Sequence, residues 1–181
     1  QIEHTKMKAR PRLDEHFVAD RHARSGVATG TDATYFVSRA IASTSRGPAV
    51  FRLDDHLARL ERSSAMYHMP MPFSREELRT AVHQVISSNG LAGCYIRPIV
   101  YRGFGTAGIN PLKSPVDVAI AVWSWGRYLG KDALEEGVDA CVSTWRRMGA
   151  GSSPAIAKAT ANYLNSQLVK MEAVTNGFAE G

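Results

Sequence analysis

The sequence predicts an α+β fold in which antiparallel strands are covered by two helices, and three observations carry that prediction. A capping-box pattern, Ser74-Arg75-Glu76-Glu77, opens an apolar stripe at helical spacing over Leu78, Val82, Val85 and Ile86. A second stripe, Leu57, Leu60 and Tyr67, lies just upstream. Two β-rich runs, 94–101 and 116–125, follow both helices and are joined by the glycine-rich loop 103–108. Helices followed by strands in this order indicate a layer of helices on one face of a sheet.

Taken in order, residues 1–46 carry the least pattern. Arginine, threonine and serine are frequent, apolar residues are isolated, and only 33–41 reads as a strand. Gly47-Pro48 is a turn signal, and Ala49 to Leu53 reads as a short strand. Asp54 is the expected N-cap of a helix that runs to about Tyr67 and is stopped by Pro70 and Pro72. Ser74 caps the second helix, Glu77 reaches back to it, and Gly90 ends it in the left-handed position. Pro98, inside the first β run, predicts a bulge or an edge. The aromatic stretch 123–130, bounded by glycine, is either a linker whose rings wall a pocket or a domain-interface plug. Gly137 to Arg146 reads as a strand and 148–154 as a glycine-containing loop. A last helix starts at Thr160 or a neighbour, turns Leu164, Leu168 and Met171 inward, and ends at Gly177.

Composition narrows the function classes. A chain of 181 residues with 44% hydrophobic and 22% charged residues has material for a core. It contains no run of eighteen apolar residues, and Gln1 to Arg12 is polar and basic, so a cytoplasmic protein without a membrane span is expected. Cys94 and Cys141 are too few for a disulfide framework or a zinc site and read as buried small side chains. The net charge of +5 gathers near the N-terminus and is otherwise interspersed with acids, so no nucleic-acid partner is expected. The histidines lack metal-ligand spacing, His56 and His68 being accounted for by the first helix, and no metal is expected.

Three groups of residues bear on chemistry. Lys158 sits between Ala157 and Ala159, with Tyr163 five positions on. An imine-forming lysine must lose its proton near neutral pH and needs small neighbours so that a flat ring can approach, although a bare A-K-A tripeptide is more often a solvated surface. Lys158 also falls at or just before a helix N-terminus, where the dipole favours anions. Tyr95 and Arg97, two apart on a strand, project from one face and suit a carboxylate, or a face open to water. Arg59 lies beside an apolar stripe, either snorkelling outward or meeting an anion in a cleft.

Five segments in order, GPAVFRLDDHLARLERSSA at 47–65, YIRP at 95–98, WSWGRYLG at 123–130, VSTWRR at 142–147 and KATANYLNSQLVKMEA at 158–173, resemble one family. It is the class IV, or fold type IV, pyridoxal-phosphate aminotransferases, and most closely the branched-chain amino acid aminotransferases. The resemblance covers residues 47–181. It implies a small N-terminal α+β domain over 1–122, poorly matched over 1–46, a linker over 123–131, and the start of a cofactor-binding large domain over 132–181.

The same resemblance implies roles. Lys158 would hold pyridoxal 5′-phosphate as a Schiff base and move the proton between substrate and cofactor. Tyr163 would hydrogen-bond the cofactor's phenolic oxygen and Arg59 its phosphate. Tyr95 and Arg97 would hold substrate carboxylates, Arg97 the distal one of glutamate, and Trp125 and Tyr128 would line the side-chain pocket. The implied reaction transfers the amino group between leucine, isoleucine or valine and 2-oxoglutarate, in a cytoplasmic homodimer or hexamer. D-amino acid aminotransferases and aminodeoxychorismate lyases share the fold and the lysine chemistry, and a non-catalytic fragment or degenerate paralogue is the alternative from another class.

Three departures from the family pattern stand out. Thr160 and Ala161 occupy positions where the family usually has two glycines. The family's N-terminal strand motif is not recognisable in 31–42. The family continues past the position of Gly181, so the chain is expected to be a fragment with about half of the site and to be inactive alone.

Overall fold

A computed structural model describes residues 3–7, 34–35, 38–41, 49–105, 108–124, 133 and 136–181, with side chains from residue 49 onward. Among the described residues six strands form one antiparallel sheet: β1 (Glu3–Met7), β2 (Thr34–Tyr35), β3 (Ser38–Ile41), β4 (Ala49–Val50), β5 (Cys94–Arg102) and β6 (Val116–Trp123). Their order across the sheet is β1-β6-β5-β3-β4, with β2 also paired to β5. The helices are α1 (Leu53–Met66), α2 (Arg75–Ser88) and α3 (Thr160–Thr175).

The α+β layer is present because the sequence periods match. Alternation along β5 buries Cys94, Ile96, Pro98 and Val100 and leaves Tyr95, Arg97, Ile99 and Tyr101 half-buried on the other face. Val118, Ile120 and Val122 of β6 continue the buried face, and Leu53, Leu57 and Leu60 of α1 and Leu78, Val82 and Val85 of α2 close over it. Each such side chain contributes about 1.5–3 kcal/mol by leaving water. The capping box is formed: Glu77 N–H donates to Ser74 Oγ at 3.3 Å, and Ser74 N–H to the Glu77 carboxylate at 2.7 Å.

The helices α1, α2 and α3 end in the same way. The residue after the C-cap is left-handed, His68 at φ 53°, Gly90 at 61° and Gly177 at 84°. In each case the next N–H bonds back five residues: Met69 to Ser64 at 3.1 Å, Leu91 to Ile86 at 3.4 Å and Phe178 to Ala173 at 2.9 Å. Gly90 and Gly177 behave as predicted. His68 takes the role on α1 without glycine's freedom, so α1 ends at Met66, four residues before Pro70.

Several expectations are corrected. Asp54 is not the N-cap: Arg52 occupies that position in the left-handed region, and Asp54 and Asp55 fall in the first turn, where the helix dipole favours acids. The short strand at 49–53 is only Ala49–Val50 for the same reason. Pro98 marks neither an edge nor a bulge. β5 has β6 on one side and β2 and β3 on the other, its register with β6 is unbroken, and Pro98 lies between the stretches that meet β3 and β2. Glu3–Met7, unread in the sequence, pairs with β6 from Glu3↔Val122 to Met7↔Val118. Cys94 is buried as expected, but Cys141 is only half-buried.

The C-terminal segment departs furthest. Gly137 to Arg146 is not a strand; among the described residues it makes one bridge, Ala140 with Glu180. Its polar groups are taken up by α3 side chains instead. The Glu172 carboxylate accepts from Ser143 Oγ, from Thr144 N–H at 3.0 Å and from Thr144 Oγ1 at 2.8 Å. Asn165 Nδ2 donates to the Arg146 carbonyl at 3.0 Å. Nor does α3 turn Leu164 and Met171 inward: they are 62% and 57% exposed, Leu168 is half-buried, and the buried residues are Asn162 and Ala173.

Candidate active site

Lys158 precedes Ala159, the N-cap of α3. Its backbone N–H donates to Ser63 Oγ at 3.1 Å, and Ser63, 2% exposed, stands one turn beyond Arg59 on α1. Its side-chain amine donates to the Tyr163 hydroxyl at 3.0 Å and lies 5.3 Å from that ring's centre. Ala157 and Ala159 are buried on either side, so the small collar read from the sequence is part of the packing. Thr160 and Ala161 enter α3 with negative φ, and the two glycines they replace are not required by the backbone here.

Asn162 fixes the loop that carries Lys158. It is 3% exposed; Nδ2 donates to the carbonyls of Ala157 at 2.8 Å and Pro154 at 3.2 Å, and Oδ1 accepts from Ser153 Oγ at 3.4 Å. Its backbone carbonyl accepts from Arg147 Nη1 at 3.3 Å, and the same nitrogen reaches Ser166 Oγ at 2.9 Å. The 142–147 motif and the loop before Lys158 are thus tied to the first turns of α3. Ser63 and Asn162 were not singled out from the sequence, because a lone serine gives no local signal of a partner 95 residues on and a lone asparagine none of which nearby carbonyls it will meet.

Arg59 is half-buried on α1. Its Nη2 is 3.3 Å from His56 Nδ1, while its Nε is buried and has no hydrogen-bond partner among the described residues. A buried donor left unmade costs about 1–3 kcal/mol, so the geometry favours an anion in a cleft over a snorkelling side chain. Burial first, then the charge of Arg59, hold the His56 imidazole below its ordinary pKa; Asp55 opposes them, and Arg52 and Lys158 add to the depression. Lys158 is therefore close enough to α1 to be felt there.

Tyr95 and Arg97 form a second group on the sheet face turned away from the two helices. Arg97 Nη2 donates to the Tyr95 hydroxyl at 3.3 Å. The guanidinium carbon lies 5.4 Å from the Tyr95 ring centre and 5.1 Å from that of Trp123, and the two rings are 4.6 Å apart. Tyr95 and Trp123 face each other across the β5–β6 register. A cation lying over two aromatic rings is held in one place at low entropic cost, as a carboxylate receptor requires. Trp125 and Tyr128 lie outside the described residues.

Sites for a carbonyl cofactor with a phosphate tail need an amine, a partner for a phenolate and an anion ligand. Lys158, Tyr163 and the Nε–H of Arg59 supply those three, and the small residues around Lys158 suit a flat ring; the residues fit pyridoxal phosphate.

The family model described as amino-transferase class IV matches residues 42–181. A branched-chain-amino-acid aminotransferase of Escherichia coli (strain K12) is 44% identical over 137 residues, 75% of this chain and 44% of that protein. The crystal structure of an E. coli branched-chain amino acid aminotransferase superposes with a TM-score of 0.85 at 38% identity, covering 92% of this chain and 56% of that one. The crystal structure of a T.th. branched-chain amino acid aminotransferase with pyridoxamine 5′-phosphate superposes with a TM-score of 0.83 at 36% identity, covering 97% and 57%. The chain spans about half the length of the relatives it matches.

Proposed function

Since the chain belongs to the class IV aminotransferases and has their α+β fold, we propose that it carries the lysine and part of the ligand-binding set of a branched-chain amino acid aminotransferase. The proposed reaction moves an amino group between leucine, isoleucine or valine and 2-oxoglutarate, in a cytoplasmic homo-oligomer, dimer or hexamer. The observation that carries it is the Lys158 amine 3.0 Å from the Tyr163 hydroxyl, pinned through Ser63 to the helix that presents Arg59. In the proposed domain division residues 1–122 form the small domain, 123–131 the linker and 132–181 the start of the large domain.

Bound pyridoxal phosphate would supply the carbonyl that receives the amino group and the ring that draws electrons from the substrate α-carbon. Lys158 Nζ would be the amine that holds that carbonyl carbon and, when freed by substrate, the base that takes the proton from the substrate α-carbon and delivers it to the cofactor's former carbonyl carbon. Tyr163 Oη hydrogen-bonds the ring oxygen. Arg59 binds the phosphate through its guanidinium fork. Tyr95 and Arg97 receive carboxylates, Arg97 the distal one of glutamate, while Trp125 and Tyr128 wall the side-chain pocket. A flat apolar wall beside one guanidinium lets a single site take leucine and glutamate in turn.

Full-length protein mixed with pyridoxal phosphate should show the visible absorbance of a lysine-bound cofactor, lost in Lys158→Ala, and should transaminate L-leucine with 2-oxoglutarate. No band in the wild type would overturn the catalytic reading. Turnover of D-alanine or aminodeoxychorismate with none of L-leucine would overturn the substrate.

A further inference from the structure

Arg59 carries a planar fork of donors, and the direction of that fork decides what it can bind. His56, three residues earlier on the same side of α1, places Nδ1 3.3 Å from Arg59 Nη2. A guanidinium has no acceptor, so Nδ1 must accept; the ring is then neutral with its proton on Nε2. The groups facing the ring agree. Among the described residues, burial and Arg59 oppose a charge there, as do Arg52 at the N-cap of α1 and Lys158 from the loop before α3, while Asp55 favours one. Elsewhere on the same guanidinium, Nε is buried without a hydrogen-bond partner among the described residues.

We infer that His56 is a positioning residue for anion binding: by accepting from Arg59 Nη2 it fixes the guanidinium plane and leaves the Nε–H for a phosphate group. This rests on Arg59 as the cofactor's phosphate ligand. His56 itself donates nothing to the anion and takes no part in proton transfer. Without it the arginine keeps its charge but loses its fixed orientation, and the phosphate is bound by a mobile cation instead of a set fork.

Affinities of full-length protein for pyridoxal 5′-phosphate and for pyridoxal isolate the phosphate as a ratio. Arg59→Ala should lower that ratio roughly 10- to 100-fold. His56→Leu should lower it roughly tenfold with little change in pyridoxal affinity or melting temperature, and His56→Asn, whose Oδ1 replaces Nδ1, should keep it within about threefold. A wild-type ratio in folded His56→Leu overturns the inference alone; a wild-type ratio in Arg59→Ala overturns the phosphate reading beneath it. Should His56→Leu fail to fold, nitrogen NMR of the wild-type imidazole decides. An unprotonated Nδ1 and a protonated Nε2 at pH 7 support the role, and a proton on Nδ1 overturns it.

Discussion

In residues 49–123 the apolar stripes face one another. Leu57 and Leu78 are both fully buried, each helix supplying the cover that the other and the sheet need. In residues 137–181 a stripe of the same kind faces outward: Leu164, Met171 and Val174 are 62%, 57% and 59% exposed, and Val142 and Trp145 beside them are exposed as well. Order in this second region comes from polar ties, Glu172 to Ser143 and Thr144, Arg147 to Asn162 and Ser166, Lys170 to Glu180 at 2.6 Å. The difference teaches that an amphipathic stripe specifies a face without specifying what covers it.

The largest effect that could break this contrast is a leucine truncation on each side of it. Leu57→Ala removes a fully buried side chain and should destabilise by about 2–5 kcal/mol. Leu164→Ala should stay within about 0.5 kcal/mol in the 181-residue chain, as an exposed substitution does. Denaturant midpoints of the two variants check it. Equal losses would mean that the α3 face is covered in solution, and the contrast would fall.

The same contrast separates what could be read in the sequence from what could not. Ser74 and Glu77 are three residues apart and bond to each other, so the capping box was legible. Lys158 and Tyr163 share one turn and a half of chain, and the two meet at 3.0 Å. Arg59 was legible as a candidate, but the burial of its Nε was not. Glu3–Met7 escaped because it is joined to β6 through backbone hydrogen bonds, which leave no side-chain pattern. Gly137 to Arg146 was misread for the opposite reason. Its side chains suit a strand, but Glu172 and Asn165, about twenty residues or more away, satisfy its polar groups from a helix. Ser63 depends on a tertiary neighbour in the same way.

A smaller effect tests the polar ties where they carry the site. Asn162→Leu keeps the branched outline but leaves the Ala157 carbonyl without its side-chain donor and the Pro154 carbonyl with the Ala157 N–H alone, a loss of about 1–3 kcal/mol. Cofactor binding to full-length protein should weaken alongside it, because the loop before Lys158 is no longer fixed to α3. Unchanged stability would assign the loop's order to the Lys158–Ser63 bond alone.

The smallest effect is local and set by pH. Side-chain hydrogen bonds from Ser143 and then Thr144 hold the Glu172 carboxyl below its ordinary value of 4.5, against a weaker opposing effect of burial. A carboxyl with a depressed pKa in the folded state adds stability that is present above 4.5 and lost as pH falls through the lower, folded value. Acidification below 4.5 should therefore release the 142–147 segment from α3 while the core of residues 49–123 stays folded. Amide exchange at Thr144 reads this directly, and its protection should fall with acid well before that of the α2 amides, with Glu172→Gln showing the acid behaviour already at pH 7. Protection at Thr144 that follows α2 through the whole acid range would show that the two regions unfold as one, and that the polar ties do not form a separate unit of stability.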